Sequence, residues 1–231
     1  VCGILWNLSA NMVRGSRPLI GPEDIEHIVK AMQNYPDSPG TQKATCGALW
    51  SLATLSDEAQ NAVASKGGID AIMCAILLHQ DKPDLLELAC GVLCSLSVNT
   101  RNLKAIADAG SIAAVTELIR NHMSCSALFQ TSCLFLHNMA YFDTNYAEEA
   151  SAACSSIIRA MNENPDDATL IRAACCALSS LAANAEACRE RIHACGGVST
   201  IARARERFRN FADVWSEAEG ALAQLENEGT S

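Results

Sequence analysis

Cysteine and histidine are the residue types whose number and spacing in this chain bear most directly on chemistry. The 231 residues include 12 cysteines and five histidines, so a metal site is the first possibility to consider. A structural zinc site needs four ligands, usually supplied as two closely spaced pairs. Cys188, His193 and Cys195 stand beside a Gly-Gly turn and have no second pair. We therefore predict that the chain holds no metal and no cofactor.

Catalytic motifs are also missing from the sequence. It contains no Gly-x-Ser-x-Gly, phosphate-binding loop, dinucleotide fingerprint or His-Glu-x-x-His, each of which marks a particular catalytic or nucleotide-binding geometry. No histidine recurs beside a carboxylate or a nucleophile; the five are His27, His79, His122, His137 and His193. The chain is therefore predicted not to be an enzyme.

The charge of the chain argues against a nucleic-acid partner. The formal net charge is −9 and the sequence pI is about 5.0, so the surface repels phosphate backbones overall. One basic run stands out: Arg203, Arg205, Arg207 and Arg209. At helical spacing Arg203 and Arg207 share one face, and Arg205 and Arg209 share another. These arginines either contact RNA or an acidic partner, or form the solvated face of a helix. The net charge therefore disfavours nucleic acid as the main partner.

No targeting or membrane segment is visible. No run of apolar residues approaches the 18 that a transmembrane helix needs, and no signal-peptide pattern is present. We therefore predict an intracellular protein, cytoplasmic or nuclear, without a membrane span. Targeting to an organelle stays open as an alternative, because we expect the native N-terminus to be missing from this sequence.

A repeat underlies the whole sequence. The motif Leu5-Trp6-Asn7-Leu8 occurs six times in related form, with leading leucines separated by 44, 44, 43, 42 and 44 residues. These leucines are Leu5, Leu49, Leu93, Leu136, Leu178 and Leu222. Recurrence at such a fixed period is typical of a repeat array, in which each unit buries its apolar face against its neighbours.

Five of the cysteines belong to this repeat. Three residues before a motif leucine stand Cys2, Cys46, Cys90, Cys133 and Cys175. A cysteine and two leucines at i, i+3 and i+6 form one apolar stripe of a helix. Helices stacked about 8–10 Å apart keep these thiols beyond the usual disulfide Cα separation of up to about 6.8 Å. The column is therefore predicted to be buried and reduced.

Each unit divides into three helices. Glycine pairs or single glycines at 67–68, 110 and 196–197 permit a sharp turn between a short first helix and a second helix. The two central units are predicted to have helices over 57–65, 69–79 and 84–97, and over 99–107, 112–123 and 126–140. Ser56, Asn99 and Asn184 are candidate N-caps. No sustained alternation of apolar and polar residues indicates a β-strand.

The array is predicted to form a single domain over residues 1–227, followed by a tail at 228–231. It comprises a partial repeat at 1–10 and repeats at 11–54, 55–98, 99–141, 142–184 and 185–227. The last helix is unusually polar, as a terminal repeat requires. The first helix lacks the two helices that should cover it. We expect the N-terminal end to be covered by missing repeats, by a partner or by self-association.

The units resemble armadillo repeats. The stretch NTRNLKAIADAGSI at 99–112 is similar to the first half of that repeat, and CGALWSLA at 46–53 is similar to its end. The stretch at 27–52 is similar to tandem armadillo arrays of unicellular eukaryotes. The resemblance implies an all-α fold, a right-handed α-solenoid of about five three-helix repeats plus a partial N-terminal repeat. Its third helices would line a concave groove in which partners lie extended.

The resemblance also implies which residues line that groove. Family members place an asparagine on the third helix at positions that are here Asn7, Ser51, Ser95, Asn138, Ser180 and Gln224. Importin-α-like members carry a tryptophan four residues earlier, where this chain has Gly47 and Gly91, so the array is catenin-like rather than importin-α-like. One turn further back the lining is mixed in charge, with Lys43, Glu87, Gln130 and Arg172.

A column of larger side chains stands beside these groove positions. It contains Trp6, Trp50 and His137. The two tryptophans either form an aromatic platform for a partner or pack between neighbouring units. Tryptophan is enriched in binding hot spots, which is the reason to consider the first alternative. The predicted partner-binding residues are Trp6, Asn7, Lys43, Trp50, Ser51, Ser95, His137, Asn138, Arg172 and Ser180.

The sequence therefore predicts a scaffold or adaptor that binds an extended peptide or a helix of another protein in the groove. Two alternatives remain open at this stage. One is an RNA-associated solenoid that uses the arginines at 203–209, whose binding would depend on salt. The other is a permanent structural subunit of a larger assembly.

Overall fold

The computed structural model describes residues 21–226 of the chain, and all regular structure in that range is helical. Its contacts divide the chain into two compact units after Ala114. The first unit contains α1 (Pro22–Asn34), α2 (Pro39–Ala53), α3 (Asp57–Ser65), α4 (Gly68–Leu78), α5 (Pro83–Ser97) and α6 (Thr100–Asp108). The helix α7 (Ser111–Asn121) spans the division.

The second unit continues in the same pattern. It contains α8 (Ser126–Phe142), α9 (Thr144–Glu149), α10 (Ala153–Glu163), α11 (Ala168–Asn184), α12 (Glu186–Ala194), α13 (Gly197–Arg207) and α14 (Ala212–Glu226). Short first helices, second helices and long third helices alternate as predicted, and the predicted bounds of the two central repeats agree with the structure within two residues. The predicted partial repeat at 1–10 and the tail at 228–231 lie outside the described residues.

The starts of the first helices show where local sequence decides the structure and where it does not. The Ser56 hydroxyl accepts a hydrogen bond from the Ala59 amide, and the Asn99 side chain accepts one from the Arg101 amide, so both predicted N-caps are confirmed. The prediction for Asn184 was wrong. Asn184 is the last residue of α11, and its side-chain amide donates to the Ser180 carbonyl of the same helix.

Glycine sets the sharp turn between first and second helices. Gly67, Gly110 and Gly196 have φ of 78°, 74° and 71°, a left-handed conformation that costs other residues strain. In the repeat at 142–184, which has alanine at this point, the 3₁₀ turn Ala150–Ala152 joins α9 to α10. Alanine therefore replaces the left-handed turn with a tighter continuation of the helix.

The core of each unit lies between third helices. In the first unit α2 packs on α5, and in the second unit α11 packs between α8 and α14. The motif leucines Leu49, Leu93, Leu136 and Leu178 are 0% exposed. A fully buried leucine contributes about 1.5–3 kcal/mol of hydrophobic stabilisation, so the motif that defines the repeat also stabilises the packing between third helices.

The cysteine column is buried beside these leucines. Cys46, Cys90, Cys133 and Cys175 are 0% exposed and lie outside any disulfide, which confirms the prediction for these four; Cys2 lies outside the described residues. Burial raises the pKa of the Cys46 and Cys175 thiols to about 12, because a thiolate loses its hydration in an apolar interior. The thiols therefore act as small apolar side chains.

This burial leads to an expected pattern of thiol reactivity. In the native protein at pH 8, an alkylating reagent should modify the exposed Cys74 and Cys195 well before any thiol of the column, because only an accessible thiolate reacts. Mass spectrometry of peptides after timed labelling measures the rates. In urea sufficient to unfold the chain, all thiols should react at similar rates. Rapid native labelling of Cys133 would contradict the packing described above.

No single helix within residues 21–226 is long and apolar enough to cross a membrane. The pair α3 and α4 reaches the required length and composition only when taken together, and it is bent by 72° at the intervening break.

Candidate functional site

In the first unit, the candidate site is the face of α2 and α5 that stays partly exposed. The side chains on this face are half-buried and recur at helical spacing: Lys43, Trp50 and Ser51 on α2, and Glu87, Cys94 and Ser95 on α5. Because α2 and α5 pack side by side, two such stripes form one continuous surface. We call this surface the first groove segment.

The Trp50 indole lies directly across the backbone of α5 at Gly91. A Cβ atom placed on Gly91 would stand 2.5–2.8 Å from ring atoms of the indole, so any larger residue there would displace the ring. Trp50 therefore packs between neighbouring repeats and also keeps part of its surface exposed. The glycine at position 91, which is unfavourable inside a helix, is explained by this close approach.

An ion pair joins the two helices at the same edge. Lys43 Nζ lies 2.5 Å from Asp84 Oδ2, and the two side chains are 42% and 61% exposed. Its hydrogen bond with Lys43 lowers the pKa of the Asp84 carboxyl. The one predicted cationic residue of this segment therefore has its charge balanced by a carboxylate of the next repeat.

The hydroxyl of Ser51 is engaged within its own helix. Ser51 Oγ donates to the Gly47 carbonyl oxygen at 3.0 Å, as serine commonly does inside helices. Ser95 occupies the equivalent half-buried position on α5. These short side chains leave the indole of Trp50 as the largest feature of the segment. Trp6 and Asn7, the corresponding predictions in the first repeat, lie outside the described residues.

In the second unit, the equivalent surface centres on His137. Its Nδ1 lies 2.6 Å from Ser180 Oγ and 3.4 Å from Cys176 Sγ, so the imidazole of α8 is tied to α11. Ser180 is buried beneath this contact, whereas the predicted residues Asn138 and Arg172 remain half-buried on α8 and α11. The exposed stripes of α8 and α11 form the second groove segment.

The second groove segment ends in two exposed aromatic rings that sequence reasoning did not single out. Tyr141 and Phe142 pack edge to face with ring centroids 5.2 Å apart, and the Tyr141 centroid is 6.2 Å from that of His137. Tyr141 is 66% exposed. The only available indication in the sequence was an aromatic pair that begins two residues after the last position of the motif. Tyr141 stands where the other repeats have alanine, threonine, valine or asparagine, and Phe142 stands where they have asparagine, leucine or glutamate.

Comparison with known proteins identifies the architecture. The family described as LRRK2 ARM repeat matches residues 23–193. The chain belongs to this armadillo-repeat family. None of the curated proteins matches the sequence. The predicted all-α armadillo-repeat solenoid fold is therefore confirmed, whereas the likeness to catenins remains a prediction.

Solved armadillo-repeat structures agree with this assignment. An engineered protein from a structural genomics consortium has a TM-score of 0.79 and 19% identity, covering 97% of this chain and 90% of its own. A designed armadillo repeat protein in complex with the peptide (KR)4 has a TM-score of 0.74 and 14% identity, covering 97% and 91%. Computationally designed armadillo repeat proteins for modular peptide recognition have a TM-score of 0.75 and 16% identity, and the match covers 97% of this chain and 92% of theirs. At these identities the likeness shows the armadillo fold alone.

The arginine run of the last armadillo repeat is compensated by neighbouring polar groups. Nitrogen–oxygen distances are 2.8 Å for Arg203–Asn162, 2.8 Å for Arg205–Glu219, 2.6 Å for Arg207–Asp166 and 3.3 Å for Arg209–Glu206. Three of the four partners are carboxylates, which lower the positive potential available to a phosphate backbone. Arg203 and Arg207 are exposed on α13 and Arg205 is half-buried there, whereas Arg209 is exposed in the turn after this helix.

The cysteines near this run do not converge on a metal site. Cys188 is buried and its thiol donates to the Ala147 carbonyl at 3.3 Å, whereas His193 and Cys195 are exposed. Nowhere between residues 21 and 226 do three His, Cys, Asp or Glu side chains group as metal ligands would.

Each unit also has a cleft where a second helix ends and the next third helix begins. Both clefts have a volume of about 260 Å³. The cleft of the second unit is lined by Met161, Asn162, Pro165, Ile171, Thr200, Arg203, Ala204 and Arg207. The cleft of the first unit occupies the equivalent armadillo positions and is lined by Met32, Gln33, Pro36, Gln42, Asp70, Ala71 and Cys74. The two differ in charge, because an exposed thiol in the first unit replaces an arginine in the second.

Proposed function

We propose that this armadillo chain is a protein-interaction scaffold that binds an extended peptide or a helix of a partner protein along its third helices. The observation that carries the proposal is the Trp50 indole, which is held against Gly91 and remains partly exposed. A rigidly packed, partly exposed tryptophan offers a large apolar contact at small cost in conformational entropy, which is the usual character of a binding hot spot.

The surroundings of Trp50 suit a peptide rather than a phosphate backbone. The nearby cation Lys43 is balanced by Asp84, and Ser51 and Ser95 are small enough to let a backbone approach. In the second groove segment, Asn138 supplies a side-chain amide, which can donate to and accept from a peptide backbone. Tyr141 extends that segment with another exposed apolar ring. Among the similar structures, a designed armadillo protein binds the peptide (KR)4, which supports a peptide ligand for this groove as well.

RNA association is the weaker candidate, because the arginines at 203–209 meet carboxylates or an amide at close range. If RNA were nevertheless the partner, its affinity would fall steeply with salt, whereas binding of an apolar peptide in the groove would change little.

The groove assignment is testable by site-specific crosslinking. Peptides are first selected from a displayed random library against the whole chain. A photo-crosslinking amino acid is then placed at Ser95, at Asn138 or, as a control, at the exposed Lys104 of α6. Selected peptides should crosslink from at least one groove position and not from position 104. Mass spectrometry of the crosslinked products identifies the contact.

Affinity measurements complete this test. Trp50→Ala should weaken binding of the crosslinked peptides by at least about tenfold, since a hot-spot residue contributes on the order of 2 kcal/mol or more. Asn138→Ala should weaken the binding of peptides that crosslink from the second groove segment. Circular dichroism checks that both variants keep their helices. The proposal is overturned if both variants bind with full affinity while changes on first helices abolish binding.

A further inference from the structure

The second helix α4 turns apolar side chains toward solvent. Cys74, Leu77 and Leu78 lie on one face at spacings of three and four residues, where side chains of a helix are neighbours. Leu77 is 58% exposed and Leu78 is 51% exposed, and Cys74 is also exposed. Two adjacent leucines in water forgo the hydrophobic stabilisation that burial would give them.

The other second helices show that this face is specific to α4. At the three equivalent positions they carry exposed polar or charged residues: Lys30, Gln33 and Asn34 on α1; Glu117, Arg120 and Asn121 on α7; Arg159, Asn162 and Glu163 on α10; and Arg203, Glu206 and Arg207 on α13. The fold of the repeat therefore does not require apolar residues here. Within residues 21–226, the repeat that contains α4 alone departs from the polar pattern.

The apolar face of α4 continues into the neighbouring loop and cleft. Cys74 lines the cleft of the first unit together with Met32, Pro36 and Ala71. His79, which follows Leu78, places its Nε2 2.7 Å from the Pro36 carbonyl oxygen. This contact holds the loop that carries Tyr35, itself 61% exposed, beside the end of α4. The surface of Tyr35, Cys74, Leu77 and Leu78 is called the α4 patch below.

The rim of the α4 patch is acidic. Asp70 lines the same cleft, Asp37 follows Pro36, and Asp81 lies three residues after Leu78; all three are exposed. Lys82 is the cation at this rim, and it is paired with Asp81 at 2.8 Å. Acidic residues also outnumber basic ones over residues 21–114. A basic ligand is therefore attracted to this patch, and an anionic surface is repelled.

We propose that the α4 patch is a second docking site, independent of the groove, for an amphipathic segment of another protein in which clustered leucine, methionine or phenylalanine side chains are flanked by lysine or arginine. Apolar side chains of that segment cover Leu77 and Leu78, one of them enters the cleft beside Cys74, and the basic flanks meet the aspartates of the rim. Recognition of an amphipathic helix through anchors at i, i+3 and i+4 is a common binding mode. Anionic lipid is disfavoured as the occupant because the rim carries the same sign of charge.

The test uses a variant that the chain itself suggests. Leu77→Gln combined with Leu78→Asn introduces the residues that α1 has at the same two positions, so the repeat should fold as before. The matched control is Val98→Asn, which removes another exposed apolar side chain of the first unit. A displayed library of random peptides of about 14 residues, roughly four helical turns, is selected against the whole chain carrying Trp50→Ala, which disfavours groove ligands.

We expect enriched peptides to combine clustered apolar residues with lysine or arginine. Their affinity should fall by at least about tenfold in the Leu77→Gln, Leu78→Asn variant, because two buried leucine contacts are lost, and should be unchanged in Val98→Asn. Bound peptide should slow alkylation of Cys74 and leave that of Cys195 unaffected. Neutralising the rim with Asp70→Asn and Asp81→Asn should weaken binding and reduce its salt dependence.

Four outcomes would overturn the proposal. The first is an absence of enriched peptides that depend on Leu77 and Leu78, and the second is enrichment of acidic peptides. The third is self-association of the wild-type chain in sedimentation that the double leucine variant abolishes, which would assign the patch to a second copy. The fourth is binding to phosphatidylserine vesicles with the same dependence, which would assign it to a membrane. None of these bears on the crosslinks from Ser95 and Asn138, so failure here is distinguishable from failure of the groove assignment.

Discussion

Alanine at Gly68 is expected to destabilise the chain by about 2–3 kcal/mol, near the upper end of the usual cost of overpacking. A Cβ atom at this position would stand 2.6 Å from the Val63 carbonyl oxygen and 2.6 Å from Val63 Cγ1. The carbonyl belongs to the backbone of α3, so relief requires a shift of one helix relative to the other. The left-handed turn at Gly67 brings the two helices this close.

Gly197 should behave in the same way, because it holds the equivalent position one residue after Gly196. Its added Cβ would meet Ile192 Cγ2 at 2.5 Å and the Ile192 carbonyl oxygen at 2.8 Å. Urea denaturation followed by circular dichroism measures both effects. Gly40→Ala is the matched control: it lies in α2 with nothing within 4 Å of its added Cβ, so it should be neutral or stabilising by up to about 1 kcal/mol. An unchanged unfolding midpoint for Gly68→Ala would contradict the close contact of α3 and α4.

Alanine at Gly91 is expected to lower the stability of the chain when Trp50 is present and to raise it when Trp50 is replaced by alanine. In the wild-type background the new Cβ would lie 2.5 Å from Trp50 Cδ2, so the indole must move away from α5 and lose packing. The expected cost is about 1–3 kcal/mol, reduced by the roughly 1 kcal/mol that alanine gains over glycine inside a helix. In a Trp50→Ala background the obstacle is gone, and the same change should stabilise the chain by up to about 1 kcal/mol.

A double-mutant cycle of these two changes isolates the contact. The coupling free energy should be on the order of 2 kcal/mol, within the range found for residues in direct contact. Gly220→Ala serves as the control, because its added Cβ would meet only Ser179 Oγ at an ordinary 3.9 Å. Additive effects of Gly91→Ala and Trp50→Ala would show that the indole does not rest on α5. In that case the observation that supports the groove proposal would be lost.

The sequence by itself determined the repeat and much of its local structure. The spacing of the motif leucines, the cysteine column and the glycines at 67, 110 and 196 depends on neighbours within one helix or one turn. Helical periodicity and the left-handed preference of glycine act over that short distance. The helix bounds and the caps at Ser56 and Asn99 were therefore predictable. The burial of the column cysteines was predictable for the same reason; these are Cys46, Cys90, Cys133 and Cys175. The prediction of a cap at Asn184 was wrong because α11 continues through Asn184, which is its last residue.

Only the tertiary structure decided what each surface residue meets. Three contacting pairs are each separated by about one repeat: Trp50 and Gly91, Lys43 and Asp84, and His137 and Ser180. From the sequence alone, each first member could have contacted any of several side chains on the third helix of the next repeat. Which of them pairs is set by the offset between stacked helices, which a one-dimensional pattern does not contain. The α4 patch illustrates the same limit. By composition α4 is an apolar helix like any buried one, and its exposed leucines became apparent only once the positions of the neighbouring helices showed that nothing within the described fold covers them.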